Sequence, residues 1–344
     1  MTLPCTFGCA GPTLTADERA LLAEAQPWGF ILFARNVDTP RQLMALTSDL
    51  REAVGREAPI LIDQEGGRVQ RMGPPHWRQW RPPLDQMRLT PDPGIAARAM
   101  RLRYRLIAEE LRAVGIDVNC APLADIARPV THPILRNRLY GGDHVAVVGA
   151  ARAVAQGLID GGVLPVLKHI PGHGRATLDS HLELPRVDAP RAALDAEDFA
   201  AFRALADLPL GMSAHIVFED IDPEAAATVS PTMIALIREE IGFDGLLMTD
   251  DISMQALSGD VVSRAFRALE AGCDIVLHCN GDLAEMEALA RRLPPLSAEA
   301  CRRTERALGQ RIAVPAPASA VDIAALEAEL EGLLGQALAN RADG

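Results

Sequence analysis

The chain has 344 residues, of which 49 % are hydrophobic and 23 % charged, and this composition excludes disorder or coiled coil over most of its length. Its 34 basic and 46 acidic residues give a net charge of −12. This charge argues against nucleic acids and anionic membranes as partners, because phosphate contacts need clustered cations. No apolar run approaches the ~20 residues of a membrane span, and the first residues lack the basic and apolar regions of a signal peptide. We therefore expect a cytoplasmic protein whose six cysteines, none in CxxC spacing, are reduced and structural.

Eight short apolar runs recur from one end of the chain to the other, and each is too short to form a helix. Most are rich in Val, Ile and Leu without polar alternation, which is typical of strands buried on both faces of a parallel sheet. The runs cover residues 5–10, 29–33, 59–63, 116–123, 163–169, 210–218, 245–250 and 273–279.

Helical patterns lie between these runs. Thr15 and Glu18 have the spacing of a capping box, which predicts the start of a helix. Residues 96–114 carry an apolar stripe at steps of three and four, and Gly115 follows as a C-cap. Pro231 is predicted to begin a further helix that runs to Ile241.

The alternation of strands and helices predicts a single (β/α)8 TIM-like barrel over residues 1–314. The alternative is a doubly wound open sheet, but no G-x-G-x-x-G or G-x-x-x-x-G-K-[ST] motif follows any strand. Residues 315–344 are predicted to be a Pro/Ala-rich linker and an extra C-terminal helix packed on the barrel, with a partner-binding helix as the alternative. The apolar face of this helix comprises Ile323, Leu326, Leu330, Leu333, Leu334 and Leu338.

In such a barrel, catalytic groups sit where the strands end, so the residues after each run are the first candidates. Asp63 closes the third run, and Gly66 and Gly67 allow close approach of the backbone before Arg68 and Arg71. A solvated cluster of ion pairs at a strand terminus is the competing interpretation.

The densest polar segment, residues 167–185, follows the fifth run and contains Lys168, His169, His173, Asp179 and His181. A metal site formed by His169, His173 and His181 is one hypothesis, but Pro and Gly separate the first two histidines and prevent helical i, i+4 presentation. The spacing of Asp179 and His181 favours general acid–base chemistry, because the carboxylate can hold one ring nitrogen and leave the other for proton transfer.

Two carboxylates, Asp250 and Asp251, close the seventh run. Neighbouring side chains of a strand point to opposite faces, so only one of them is expected to face the pocket easily. Asp250 is the better candidate, although two aspartates after a strand are often only a helix N-cap.

The segment KHIPGHGRATLDSH (168–181) resembles the K-H-[FI]-P-G-H-G-x4-D-[ST]-H segment of bacterial NagZ-type β-N-acetylhexosaminidases in glycoside hydrolase family three. Other segments match that family in the same order, and the resemblance covers residues 5–310. They are GFILFARN (29–36), DQEGGRVQR (63–71), DVNCAPLADI (117–126), MSAHIVF (212–218), DGLLMTDDISM (244–254) and AGCDIVLHCN (271–280).

The resemblance implies a retaining glycosidase that removes terminal non-reducing β-linked N-acetylglucosamine and needs no cofactor or metal. It implies that Asp250 is the nucleophile, that His181 donates and accepts the proton, and that Asp179 tunes this histidine. The substrate-binding positions that it implies are Asp63, Arg71, Arg138, Lys168 and His169. The implied role is recycling of peptidoglycan, with a GlcNAc-1,6-anhydro-muropeptide as the substrate. We expect the protein to be a monomer.

Where this family often has I-G-[EN]-R-[AS]-[FY]-G, the chain has LRNRLYG (135–141), so that Arg136 and Leu139 could reposition the loop that carries Arg138. Three alternatives to the implied mechanism stay open. They are substrate-assisted hydrolysis with Asp250 and Asp251 as the acidic pair, a metal-dependent hydrolase, and a sugar-binding barrel without catalysis.

Overall fold

The computed structural model describes residues 1–90, 92–178, 183–312 and 322–342, and in it the eight predicted strands close into one parallel barrel. Each strand pairs with the next one along the chain, and the last pairs with the first. The predicted (β/α)8 fold is therefore confirmed. The barrel strands are β1 (Leu3–Gly8), β2 (Pro27–Leu32), β3 (Ile60–Ile62), β4 (Val118–Asn119), β5 (Leu164–Ile170), β6 (Leu210–Ser213), β7 (Leu246–Asp251) and β8 (Ile275–His278).

Helices surround the barrel, and many of them begin at a side chain that caps the first turn. The predicted capping box is present at α1, where Thr15 accepts from the backbone of Glu18 and the Glu18 side chain accepts in return. The helices are α1 (Ala16–Ala25), α2 (Pro40–Val54), α3 (Pro83–Met87), α4 (Pro93–Ala113), α5 (Pro133–Arg136), α6 (His144–Asp160), α7 (Arg191–Ala193), α8 (Phe199–Arg203), α9 (Pro231–Ala235), α10 (Val261–Ala271), α11 (Leu283–Arg292), α12 (Ala298–Ile312) and α13 (Ile323–Ala342).

Alternate side chains of the strands fill two apolar layers. In β5, Leu164 and Val166 point into the barrel, whereas Leu167 packs against the surrounding helices. Each such buried aliphatic side chain contributes roughly 1.5–3 kcal/mol of transfer free energy. Five of the six cysteines are buried free thiols, and burial raises the pKa of Cys273 to about 12, so that it packs as a small neutral group.

Two strands contain fewer than half of the residues in their apolar runs. The run over residues 116–123 forms a regular strand only at Val118–Asn119. Beyond it Pro122 cannot donate, although Ala121 and Pro122 still accept from Val166 and Lys168 of β5. The run over 210–218 leaves the barrel after Ser213, and Val217–Phe218 pairs instead with Arg186–Val187 outside it.

The C-terminal helix α13 lies against α4 and the core through Ile323, Leu326, Leu330, Leu333 and Leu334. Ion pairs between Arg78 and Glu327 and between Arg98 and Glu329 flank this contact. The side chain of Leu338 and the linker over residues 315–321 lie outside the described residues, so the division of the chain at residue 314 stays a prediction. In the described part of the chain, every helix is too short or too polar to cross a membrane.

Candidate active site

A cavity of about 260 Å³ opens at the carboxyl ends of the barrel strands, where this fold places its catalytic groups. Its volume approaches the lower end of the range of ~300–1,000 Å³ that is usual for ligand pockets. The predicted site residues that line it are Asp63, Arg71, Arg138, Lys168, His169 and Asp250. Asp179 and His181 lie outside the described residues.

Irregular strand pairing lets consecutive residues reach this cavity. The register of β5 against β6 shifts between Leu167 and Ile170, and Lys168 and His169 both line the cavity. The pairing of β7 with β8 shifts in the same way between Met248 and Asp251. A regular strand would turn every second side chain away from the cavity.

Asp63, Lys168 and Arg71 form a connected group on the cavity wall. Lys168 Nζ lies 2.9 Å from Asp63 Oδ1, and Arg71 Nη2 donates to Asp63 Oδ2 at 2.9 Å. Burial alone would raise the pKa of Asp63, but Lys168 and Arg71 outweigh it and hold that pKa well below its usual value. The wall therefore presents a carboxylate acceptor and two cationic donors to a polar ligand.

Glu65, which the sequence did not single out, holds two of the predicted residues in place. Arg138 donates to it twice, from Nε at 2.9 Å and from Nη2 at 2.8 Å, and Lys168 Nζ lies 2.7 Å from Oε1. The Glu65 side chain is fully buried, and the two cations lower its pKa although burial opposes this. Glu65 thus fixes where Arg138 and Lys168 meet the cavity.

A second missed residue, Asp125, orients His169. The Asp125 carboxylate lies 2.7 Å from His169 Nδ1 and accepts from the backbone N–H groups of His169 and His173. Burial opposes ionisation of Asp125, but His169 and these bonds lower its pKa. The carboxylate accepts a hydrogen bond from Nδ1–H, which fixes the ring tautomer and leaves Nε2, unpartnered among the described residues, as the nitrogen that can accept from a ligand.

Asp250 and Asp251 both border the cavity, so the prediction that only one of them easily faces it is corrected by the shift in β7 pairing. Their hydrogen bonds differ. The Asp251 carboxylate accepts from Ser253 and from the backbone of Cys279. Within the described residues, Asp250 accepts only from the N–H of Asp251, at 2.8 Å. Burial alone would raise the pKa of Asp250, but His169 and this N–H contribute to holding it below its usual value.

His173 also lines the cavity, with its ring centroid 5.6 Å from that of His169. Burial and the nearby His169 lower the pKa of His173 to about 4, so the ring is neutral near pH 7. Neither ring nitrogen has a hydrogen-bond partner among the described residues. In that part of the chain, no three His, Cys, Asp or Glu side chains cluster closely enough to hold a metal ion.

The two departures from the family pattern lie away from the cavity wall. Neither residue lines the cavity: Arg136 donates to the backbone carbonyl of Arg128, and Leu139 is buried in the core. Arg138 still reaches the cavity from this loop.

Comparison with known proteins agrees with this geometry. Residues 8–307 match the family model described as the glycosyl hydrolase family 3 N terminal domain. The chain is 39 % identical to a beta-hexosaminidase of Alkalilimnicola ehrlichii over 85 % of this chain and 84 % of that protein. It is 38 % identical to a beta-hexosaminidase of Bordetella pertussis over 87 % of each chain.

Solved structures give the same result. NagZ from Neisseria gonorrhoeae has been solved in complex with N-trifluoroacetyl-D-glucosamine and in complex with zinc ion, with TM-scores of 0.83 and 0.84 to this chain. Each is 30 % identical, and the match covers 97 % of this chain and 98 % of the other. The prediction of a glycosidase that resembles β-N-acetylhexosaminidases is confirmed, and the chain belongs to glycosyl hydrolase family 3.

Proposed function

We propose that the chain is a retaining β-N-acetylhexosaminidase that removes terminal non-reducing N-acetylglucosamine from GlcNAc-1,6-anhydro-muropeptides during cytoplasmic recycling of the cell wall. The observation that carries this proposal is the Asp250 carboxylate, which borders a cavity lined by charged side chains and has one hydrogen-bond donor among the described residues. The relatives named beta-hexosaminidase and the Neisseria complex with a glucosamine derivative support the choice of sugar.

The first step forms a covalent bond to the enzyme. An oxygen of Asp250 bonds to the anomeric carbon while the bond from that carbon to the leaving oxygen breaks. The His181 imidazolium, whose role comes from the family resemblance, gives its proton to that oxygen. The lowered pKa of Asp250 keeps the attacking group ionised at neutral pH.

The second step releases the sugar. His181, now neutral, takes a proton from water, and the water oxygen bonds to the anomeric carbon as its bond to Asp250 breaks. Two inversions give net retention. Histidine suits this exchange because its usual pKa of ~6.5 lies near the working pH.

The charged wall can position the sugar for both steps. Asp63 can accept from hydroxyl groups, and Arg71, Arg138 and Lys168 can donate to hydroxyl or acetamido oxygens. Paired and buried cations of this kind are held before the substrate arrives, so little further ordering is needed on binding.

Substrate-assisted hydrolysis is less well supported. That mechanism needs a second carboxylate free to orient the acetamido group, and the Asp251 carboxylate is already engaged by Ser253 and Cys279. The Asp125–His169 bond does not argue against the metal hypothesis, because histidines that bind a metal through Nε2 commonly donate Nδ1–H to a carboxylate. Full activity in excess chelator would remove that hypothesis.

His169 lines the cavity and is paired with the buried Asp125 through Nδ1, and this pair is the rival of Asp179 and His181 for the acid–base role. Alanine variants of His169 and His181 separate the two. Loss of the general acid slows poor leaving groups far more than good ones, by about 10²–10⁴-fold. We expect this dependence, and recovery of turnover with azide, only in His181→Ala.

The proposed function is tested by comparing an aryl β-N-acetylglucosaminide with the aryl β-glucoside, and GlcNAc-1,6-anhydro-N-acetylmuramic acid with chitobiose. We expect the N-acetylated aryl substrate and the anhydro-muramyl disaccharide to be cleaved faster. Asp250→Ala should abolish turnover of both while the thermal unfolding midpoint stays within a few degrees. Near wild-type turnover by that variant would overturn the proposal.

A further inference from the structure

A buried chain of polar side chains lies behind the cavity and takes no part in the steps above. It consists of Ser213 at the end of β6, His215 two residues later, and Thr228 in the turn over Ala227–Val229. All three residues are 0 % exposed. Ser213 Oγ lies 2.8 Å from Thr228 Oγ1, which lies 2.8 Å from His215 Nδ1.

This series of hydrogen-bonded side chains ends at the backbone of Asp251, the residue next to Asp250. His215 Nε2 lies 3.0 Å from the carbonyl oxygen of Asp251. A carbonyl oxygen can only accept, so Nε2 must carry the proton. Burial lowers the pKa of His215 and favours the neutral ring, in which Nδ1 is then a bare acceptor.

Thr228 is the group that satisfies this acceptor. Its hydroxyl can donate to Nδ1 while it accepts from Ser213, which gives one direction of donation from Ser213 through Thr228 and His215 to Asp251. The hydroxyl also lies 3.0 Å from the Ala214 carbonyl, which it could reach instead if the ring became charged. In both arrangements Nε2 of His215 carries a proton and donates to the Asp251 carbonyl, and in the neutral ring Thr228 favours this tautomer by donating to Nδ1.

Asp251 links the hydrogen-bonded side chains of Ser213, Thr228 and His215 to the carboxylate of Asp250. Its carbonyl accepts from His215, its side chain accepts from Ser253 and Cys279, and its N–H donates to Asp250 Oδ1. The pairing shift in β7 lies at this point, where the sheet ladder is interrupted between Met248 and Asp251. Side-chain bonds therefore replace part of the ladder in holding the backbone of Asp251 on both sides of its Cα.

We propose that His215, oriented by Thr228, is a positioning residue. It holds the Asp251 carbonyl and so fixes the backbone of Asp251, whose N–H, on the other side of the same Cα, aims the Asp250 carboxylate at the anomeric carbon. His215 is not among the residues that line the cavity, so its effect reaches the substrate through Asp250. This inference rests on the proposed function of Asp250 as the nucleophile.

The test uses two matched pairs of variants. Thr228→Val removes the hydroxyl at nearly constant shape, and Thr228→Ser keeps it. His215→Gln can place an amide N–H near the position of Nε2, whereas the shorter side chain of His215→Asn cannot reach Asp251. All four variants and Asp250→Ala are assayed on the aryl β-N-acetylglucosaminide, well below their measured unfolding midpoints.

We expect Thr228→Val and His215→Asn to lower kcat by about tenfold or more with little change in KM. Their acidic limb of kcat/KM should move to higher pH, because weaker donation from Asp251 raises the pKa of Asp250. Thr228→Ser should stay within about threefold of wild type, and His215→Gln should exceed His215→Asn.

Wild-type kcat in Thr228→Val, an equal loss in Thr228→Ser, or a change confined to KM would overturn the inference. If Thr228→Val does not fold, the comparison of His215→Gln with His215→Asn decides alone, and equal kcat values in those two would overturn it. Turnover that persists in Asp250→Ala would overturn the proposed function itself. An inactive Asp250→Ala with an unaffected Thr228→Val would overturn only the positioning role.

Discussion

The two ends of the barrel use the same residue types for different purposes. At the amino ends of the strands, Asp117 precedes β4 and accepts from the N–H of Ile60 and from Arg51 and Arg311. Asp274 precedes β8 and repeats this pattern with the N–H of Leu247 and with two arginines, Arg238 and Arg303. Each of these carboxylates ties together two strands and two cations.

At the carboxyl ends, the carboxylates are held but not saturated. Asp63 faces two cations and also the cavity, and Asp250 accepts from one N–H among the described residues. The carboxylates at the amino end are engaged by backbone and arginine donors, whereas those at the carboxyl end can still accept hydrogen bonds from a ligand in the cavity. The amino end is therefore expected to determine stability, and the carboxyl end binding and turnover.

The largest expected effect comes from Asp250, whose carboxylate has one hydrogen-bond donor among the described residues. Asp250→Asn keeps the shape of the side chain but removes the attacking charge, so we expect kcat to fall by at least about 10⁴-fold. Steady-state kinetics with the aryl β-N-acetylglucosaminide measure this, with the thermal unfolding midpoint as the control for folding. A loss smaller than about tenfold would break the contrast between the two ends.

Glu65→Gln should have the next largest effect. It removes the charge that holds Arg138 and Lys168, and each charge-assisted hydrogen bond is worth about 1.5–3 kcal/mol. We expect kcat/KM to fall by about 10–100-fold, mainly through KM. Glu57→Gln is the matched control, because Glu57 pairs with Arg51 at the amino end with its side chain 82 % exposed. A comparable kinetic loss in that control would contradict the account.

Asp117→Asn should show the converse behaviour. It leaves Arg51 and Arg311 without their shared charge, and breaking such a buried pair costs about 3 kcal/mol of unfolding free energy. Urea denaturation measures this loss. We expect kcat to stay within about twofold of wild type at 25 °C. A large fall in kcat with unchanged stability would reverse the assignment of the two ends.

The smallest expected effect concerns pH and His173. Its pKa of about 4 in the folded state lies below the usual 6.5, so the unfolded state takes up a proton first as the pH falls. The stability that depends on neutral His173 is therefore complete above about pH 6.5 and is lost toward pH 4, by about 2–3 kcal/mol.

Urea denaturation at pH 7 and pH 4.5 tests this dependence. His173→Gln should lose less unfolding free energy than wild type between these two values, because it has no imidazole to protonate. His76→Gln, which changes an exposed histidine, should lose as much as wild type. An identical loss in all three proteins would show that His173 is not the group that titrates.

The sequence predicted the fold well because its signals are local. Apolar runs without alternation mark buried parallel strands, and the box at Thr15 and Glu18 marks a helix start that the structure contains. Strand lengths were less predictable. β4 contains two residues, whereas the apolar run predicted eight. In sequence, a buried apolar residue outside a regular strand cannot be distinguished from one inside it.

Site residues that belong to a recognisable motif could be predicted from the sequence. Those whose role depends on contact with a residue far away in the sequence could not. The six predicted residues that the structure describes, from Asp63 to Asp250, line one cavity. Glu65 was overlooked because its role depends on Arg138, 73 residues away. Asp125 lies 44 residues from His169, and neither spacing leaves a periodic signal. The irregular end of β7, which lets both aspartates border the cavity, depends on pairing with β8 that the sequence does not reveal.

The most direct measurement of the central claim is mass spectrometry of the enzyme after reaction with a 2-acetamido-5-fluoro β-glycoside, which slows release of the sugar. We expect a mass increase equal to one fluorinated N-acetylhexosaminyl group, located by peptide fragmentation on Asp250. The adduct should disappear with time as activity returns. Turnover of this substrate without an adduct, or an adduct on any residue other than Asp250, would contradict the account.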